Sequence, residues 1–200
     1  MRLRVLTLHY GADAYLASAR DINERYCRRH GLDFHVRVPR GAGSPWMKVP
    51  AVLQALADAD AVLYLDADAV FVDHERSPEW LLKRMHGAAM LIGEDFKPGV
   101  ANTGVWLVRN TPSAQEILRA WARTPERDAT LFTRWPLDEA GFNEQVLAAY
   151  RADIELVPRA ELNLVDGDFI RHHMSEPVAS KNLKLARERR LLAERHQWRV

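Results

Sequence analysis

Asp66 and Asp68 stand one residue apart, directly after the apolar run Ala61-Val62-Leu63-Tyr64-Leu65. Two carboxylates this close repel, and the pKa of at least one rises unless a cation sits between them. Carboxylate ligands suit Mg²⁺ or Mn²⁺, and Mg²⁺ is usually held by one or two protein carboxylates together with substrate phosphates. The pair therefore reads as a metal-bridged phosphate site, with a solvated turn and a capping Asp as the bland alternative that Asp-X-Asp alone leaves open. The preceding run is short, apolar throughout and bounded by Asp58-Ala59-Asp60, as in a strand buried on both faces of a parallel sheet. Asp66 then lies at the carboxyl end of that strand, where open α/β sheets bind ligands.

The elements that must position this pair follow from periodicity. Leu3 to Leu8 reads as a first strand ending at a ligand edge near His9 and Tyr10. Asp13 is placed to cap a helix to about His30, with Tyr15, Leu16, Ala19, Ile22, Tyr26 and Cys27 at helical spacing and Gly31 closing it. A strand over Asp33 to Val38, a loop over Arg40 to Pro45 and a helix entered through Trp46-Met47-Lys48 come next. Downstream, a short helix opens at Ser77, strands are expected over Ala88 to Ile92 and Val105 to Val108, and a helix over Ser113 to Arg123 turns Ile117, Leu118 and Trp121 inward. Thr124 to Leu137 lacks periodicity and exposes Phe132 and Trp135, as a loop with a job does. A helix from Gly141 through Tyr150, a strand over Ile154 to Val157 and an extended piece from Gly167 to His173 complete the alternation, which predicts a mostly parallel central sheet flanked by helices.

The 200 residues, 48% hydrophobic, suit one α/β domain over residues 1–179, followed by a basic helix over 180–200 carrying Lys181, Lys184, Arg187, Arg189, Arg190, Arg195 and Arg199. That helix reads as a surface element packed on the domain, with contact to acidic lipid or a partner as the sharper alternative. Twenty-eight basic against 27 acidic residues give a net charge of +1, which supports no nucleic-acid partner. The lone Cys27 asks for no oxidising compartment. The six residues between Arg4 and Gly11 are too few for a signal-peptide core or a membrane span, so a soluble cytoplasmic protein is expected.

Several stretches, in order along the chain, resemble the galactosyltransferase-like glycosyltransferase family 34, whose members have the Rossmann-like GT-A fold and use nucleotide sugars. They are Asn23-Glu24-Arg25-Tyr26-Cys27-Arg28-Arg29-His30-Gly31, Trp46-Met47-Lys48-Val49, Tyr64-Leu65-Asp66-Ala67-Asp68-Ala69, Asn102-Thr103-Gly104-Val105-Trp106-Leu107-Val108-Arg109-Asn110, Glu144-Gln145 and a late histidine. The resemblance covers most of residues 1 to 175. It implies transfer of a hexose or pentose from a nucleotide diphosphate donor, UDP-linked, to an acceptor hydroxyl with retention, helped by Mn²⁺ or Mg²⁺. Asp68 is then a direct metal ligand, Asp66 a ligand or ribose contact, and one protein nitrogen completes the site. His172 and His173 both qualify; neighbours on an extended segment point to opposite faces, and His173 is the expected ligand. Lys48 beside Trp46 is expected to neutralise the diphosphate. Asn102 and Gly104 are expected to line the sugar pocket, and Thr7, at the ligand edge, joins the substrate-binding set. Gln145 is expected at the donor sugar and Glu144 beside it among the catalytic groups; Glu94 and Asp95 are alternatives for hydroxyl binding.

Two departures stand out. Family members carry a transmembrane anchor and a longer catalytic region, neither of which is seen here. Their metal histidine is followed closely by Gly-Cys-Lys, whereas His172-His173-Met174-Ser175-Glu176-Pro177 precedes Lys181 here, which weakens the carry-over of that lysine. A rival enzyme class, the haloacid-dehalogenase-like phosphatases, also fits Asp66-Ala67-Asp68-Ala69-Val70, with Asp66 as nucleophile and Asp68 as general acid. It needs a later acidic pair for Mg²⁺, and after Asp168 no carboxylate appears until Glu176. A non-catalytic nucleotide-sugar-binding module is the third reading.

Overall fold

A computed structural model describes residues 1–39 and 44–198; Arg40 to Gly43 of the expected loop, and Arg199, lie outside the described residues. Strands and helices alternate from the start: β1 (Leu3–Leu8), α1 (Ala14–Arg29), β2 (Asp33–Arg37), α2 (Lys48–Ala55), β3 (Ala61–Leu65), β4 (Ala69–Phe71), α3 (Glu79–Arg84), β5 (Met90–Glu94) and β6 (Ala101–Arg109). The second half adds α4 (Pro112–Ala122), α5 (Thr124–Arg127), α6 (Asp138–Gly141), β7 (Ile154–Val157), α7 (Arg159–Leu162), β8 (Ile170–His172) and α8 (Val178–His196). Six strands form a sheet in the order β2-β1-β3-β6-β5-β7. Only β6 runs against its neighbours, so the sheet is mostly parallel as expected.

Alternation along the central strands divides the core in two. Leu6, Leu8, Val62, Tyr64 and Trp106 face α2, α4 and Phe142, while Leu3, Val5, Leu63, Leu65 and Leu107 face Tyr26, Cys27 and α3. β1 and β3 are buried along their whole length, which explains why their sequences are continuous apolar runs. Cys27 is buried on α1, and that burial pushes its thiol up.

Three differences from the periodicity matter for the site. β6 starts at Ala101, so Asn102-Thr103-Gly104 belongs to a strand instead of preceding one. The helix expected from Gly141 begins at Asp138 and continues as a wide π turn over Phe142–Val146. Thr124 to Leu137 holds α5 and a 3₁₀ turn over Ala129–Phe132.

The short ribbon of β4 and β8 is the device that assembles the site. β4 leaves Asp68 and pairs antiparallel with β8, setting Ala69 opposite His172. Its other edge is satisfied by Asn23 of α1, whose Nδ2 donates to the Ala69 carbonyl at 2.9 Å and whose Oδ1 accepts from the Phe71 N–H at 3.1 Å. Buried backbone groups need such partners, and a polar residue on the apolar face of α1 supplies them. α8 then lies along α1, burying Leu185 and Leu192 against Ala19, Ile22 and Val70. Asp13 sits at the start of α1 but makes no side-chain cap; instead Asn182 of α8 accepts from the Tyr15 N–H at 2.7 Å. Arg189 adds an ion pair with Asp21 at 2.6 Å. No helix of the described residues is long and apolar enough to cross a membrane.

Candidate functional site

Asp66 ends β3, its N–H donating to the Gly104 carbonyl at 2.7 Å, and the Ala69 N–H closes the following turn on the Asp66 carbonyl at 2.9 Å. That turn aims Asp66 and Asp68 at the same space as His172: one ligand atom from each of the three lies within 4.8 Å of the others. His172 Nε2 is 3.3 Å from Asp68 Oδ1 and 3.9 Å from Asp66 Oδ2. Its Nδ1 faces Asn163 Oδ1 at 3.2 Å, and Asn163 Nδ2 donates to the Glu94 carbonyl at 3.3 Å. An amide oxygen only accepts, so Nδ1 carries the hydrogen and Nε2 is turned toward the acids. Gly104 leaves room for this ring; a Cβ there would come within 2.0 Å of His172 Cε1.

His173 points the other way, as alternation along a strand requires. Its Nδ1 lies 3.5 Å from Glu176 Oε1 and burial holds its pKa down. The structure thus places His172, not His173, with the aspartates. Lys181 also arrives: α8 starts at Val178, and the Lys181 ammonium reaches Asp68 Oδ2 at 2.5 Å despite the long spacing from the histidines. Burial alone would raise the Asp68 carboxyl, but His172 and Lys181 hold it well below the usual carboxylate range. Burial wins at Asp66, which stays above its ordinary value although Lys48 and His172 pull it down.

Lys48, at the start of α2, is buried with its ammonium 3.1 Å from Asp138 Oδ2, 3.4 Å from Asp66 Oδ1 and 3.2 Å from the Thr103 carbonyl. Its three N–H donors are spent on the protein. Burial opposes its charge, yet Asp138 and Asp66 keep it protonated. Tyr64 Oη donates to Asp66 Oδ1 at 2.9 Å, so Asp66 is fixed from two sides.

These groups line a cavity of about 430 Å³ together with Tyr10, Tyr15, Asp95, Phe96, Asn102, Thr103, Gly104, Trp135, Glu139 and Met174, a size suited to a small-molecule ligand. Several expected residues lie elsewhere. Thr7 is buried on the β1 face opposite Leu6 and Leu8, away from the cavity. Trp46 packs behind the wall, its Nε1 donating to the Leu131 carbonyl at 3.2 Å and its ring edge-on to Phe132. Glu144 is tied to Arg134 by two contacts of 2.7 Å on the exposed side, and neither it nor Gln145 borders the cavity. Because the helix starts earlier than its apolar spacing suggested, Asp138 and Glu139 occupy the cavity wall instead. Asp138 Oδ2 accepts from Thr103 Oγ1 at 3.0 Å, and Glu139 Oε2 accepts from Asn102 Nδ2 at 3.0 Å and from the Thr103 N–H at 3.2 Å. Burial pushes Glu139 up to about 7. Asn102 and Gly104 do border the cavity. Asp138 and Glu139 fall between the aperiodic stretch ending at Leu137 and the helix expected from Gly141, so the sequence reading passes over them.

The sheet with its one reversed strand thus carries an acid–acid–imidazole cluster at the carboxyl end of its central strand, and its fold is that of GT-A glycosyltransferases of known structure. No family model matches the chain. It is 31% identical over 107 residues to putative glycosyltransferase 7 of Arabidopsis thaliana, covering 48% of this chain and 24% of that protein. The chain spans about a quarter of the length of the curated relatives it matches. Among solved structures it superposes on a glycosyltransferase involved in glycosylating the major capsid of PBCV-1 with a TM-score of 0.78 at 16% identity, over 94% of this chain and 100% of that one. It superposes on the galactosyltransferase LgtC, solved with donor and acceptor sugar analogues, with a TM-score of 0.55 at 14% identity, over 78% and 74% of the two chains. The resemblance to glycosyltransferases that the motifs carry thus holds in sequence over about half of this chain, and the fold is the one these solved structures share.

Proposed function

We propose that this domain transfers a hexose or pentose from a UDP-linked donor to an acceptor hydroxyl with retention, using a divalent ion held by Asp66, Asp68 and His172. The observation that carries the reading is the convergence of those three side chains, oriented by Asn163 and given room by Gly104, inside the cavity at the end of β3. Two carboxylate oxygens and one imidazole nitrogen suit Mn²⁺ better than Mg²⁺, which prefers oxygen alone. Bound there, the ion would supply Lewis-acid stabilisation of the departing diphosphate.

The chain's own residues divide the remaining work. Lys181, already 2.5 Å from Asp68, is placed to shift onto phosphate oxygens. Lys48 and Tyr64 hold Asp66 still, which supports preorganised electrostatics over reorganisation during the reaction. Asn102 and Glu139 offer hydrogen bonds to sugar hydroxyls. The phosphatase reading asks for a later acidic pair beside Asp66, and the third group reaching both aspartates is an imidazole, so it is not favoured.

Isothermal titration with UDP tests the proposal. Binding is expected with Mn²⁺, is expected to be lost without it, and is expected to vanish in Asp68→Ala. Metal-independent binding, or hydrolysis of p-nitrophenyl phosphate by the wild-type protein, would overturn it.

A further inference from the structure

Lys48, Lys181 and His172 contact Asp66 and Asp68 in the cavity, whose lining also includes Asp95, Glu139, Phe96, Trp135, Pro136 and Met174. Trp135 and Phe96 are 79% and 65% exposed although both line the cavity. Large aromatics left open beside a recess mark a surface that something covers. Both sit on braced turns. The Phe96 loop is closed by the Gly99 N–H donating to Glu94 Oε1 at 2.9 Å and the Asp95 N–H donating to the Val100 carbonyl at 2.8 Å, with the Arg159 guanidinium 3.7 Å from the Phe96 ring centre. The Trp135 turn is closed by the Leu137 N–H on the Arg134 carbonyl at 2.8 Å, and Arg134 is clamped by Glu144. Glu144 thus positions the turn that carries Trp135.

Resting on the donor reading above, we propose that Trp135 and Phe96 form the acceptor subsite for a neutral pyranoside. The apolar face of the sugar ring packs on these aromatics, while Asp95 and Glu139 bond its hydroxyls and Asp95 repels sugars that carry a carboxylate. Aromatic rings supply rigid apolar area at little entropic cost, and the Asp95 carboxylate beside them raises a field against anions.

The test uses the full chain with Mn²⁺ and UDP, titrated with methyl β-D-glucopyranoside, methyl β-D-galactopyranoside and methyl β-D-glucopyranosiduronate and read by saturation-transfer NMR. A neutral glycoside is expected to bind, with saturation concentrated on the ring protons of one face. Trp135→Ala and Phe96→Ala are expected to weaken it about tenfold, Trp135→Phe to restore most of the loss, and UDP affinity to stay unchanged in all three. The glucuronide is expected to bind more weakly, and Asp95→Asn to narrow that gap. Equal glycoside affinity in wild type and both alanine variants, no neutral-glycoside binding, or a glucuronide that binds as well as the glucoside would overturn the subsite. Loss of UDP binding in the wild type would instead strike the donor reading, since glycoside binding is read separately.

Discussion

Lys48→Met isolates the ion network under the site. Lys48 is 5% exposed and Asp138 4% exposed, and the ammonium is the cation within 3.4 Å of both Asp138 and Asp66. Removing one partner of a buried pair leaves an uncompensated charge and costs about 3–5 kcal/mol. Methionine replaces the stem but not the three hydrogen bonds, so packing stays near neutral and the loss is electrostatic. With a urea slope of about 2 kcal/mol per M, the unfolding midpoint is expected to fall by about 1.5–2.5 M. In Lys48→Met/Asp138→Asn the charge stranded at Asp138 is gone while the Thr103 hydrogen bond survives, and Asp66 keeps the hydrogen bond from Tyr64. The double variant is therefore expected to be at least about 1 kcal/mol more stable than the sum of the single changes. Urea unfolding followed by far-ultraviolet circular dichroism reads both numbers. A Lys48→Met shift below about 0.5 M, unaltered by Asp138→Asn, would refute the claim that this lysine is held for its charge.

Gly104→Ala is expected to displace the His172 ring, since a Cβ there would lie 2.0 Å from His172 Cε1; Mn²⁺-dependent UDP binding by calorimetry should weaken about 10–100-fold. Glu139 binds its proton up to about 7 when folded but only to 4.5 when unfolded, so the folded state holds the extra proton between those values. Stability is then expected to fall as pH rises through that window and to level off above it. Glu139→Gln should flatten the slope and gain about 1–2 kcal/mol at pH 8, after discounting the full shift for water in the cavity. Leu185→Ala, at a fully buried position where α8 meets α1, should lower stability by about 2–5 kcal/mol in the same denaturation assay.

The fold was legible wherever burial shaped the sequence. Continuous apolar runs gave β1 and β3, and the break at Asp66 gave the end of the strand where the cavity opens. Alternation showed that one of His172 and His173 must face the aspartates. It did not give the phase, because β8 is three residues long and its register is fixed by β4, which pairs Ala69 with His172. Lys181 looked too distant because sequence spacing ignores the turn at Ser175, whose φ of 60° redirects the chain before α8. Glu144 and Gln145 entered through the family resemblance, but the helix begins at Asp138, Glu144 is spent on Arg134 and neither residue borders the cavity. Asn23 carried a readable signal: a polar residue on the buried stripe of α1, spent on the edge of β4.

Calorimetric titration of UDP into His172→Ala and His173→Ala, each with and without Mn²⁺, tests the metal site most directly. His172→Ala is expected to lose the Mn²⁺-dependent binding and His173→Ala to keep it. Retention in His172→Ala, or loss confined to His173→Ala, would contradict the assignment.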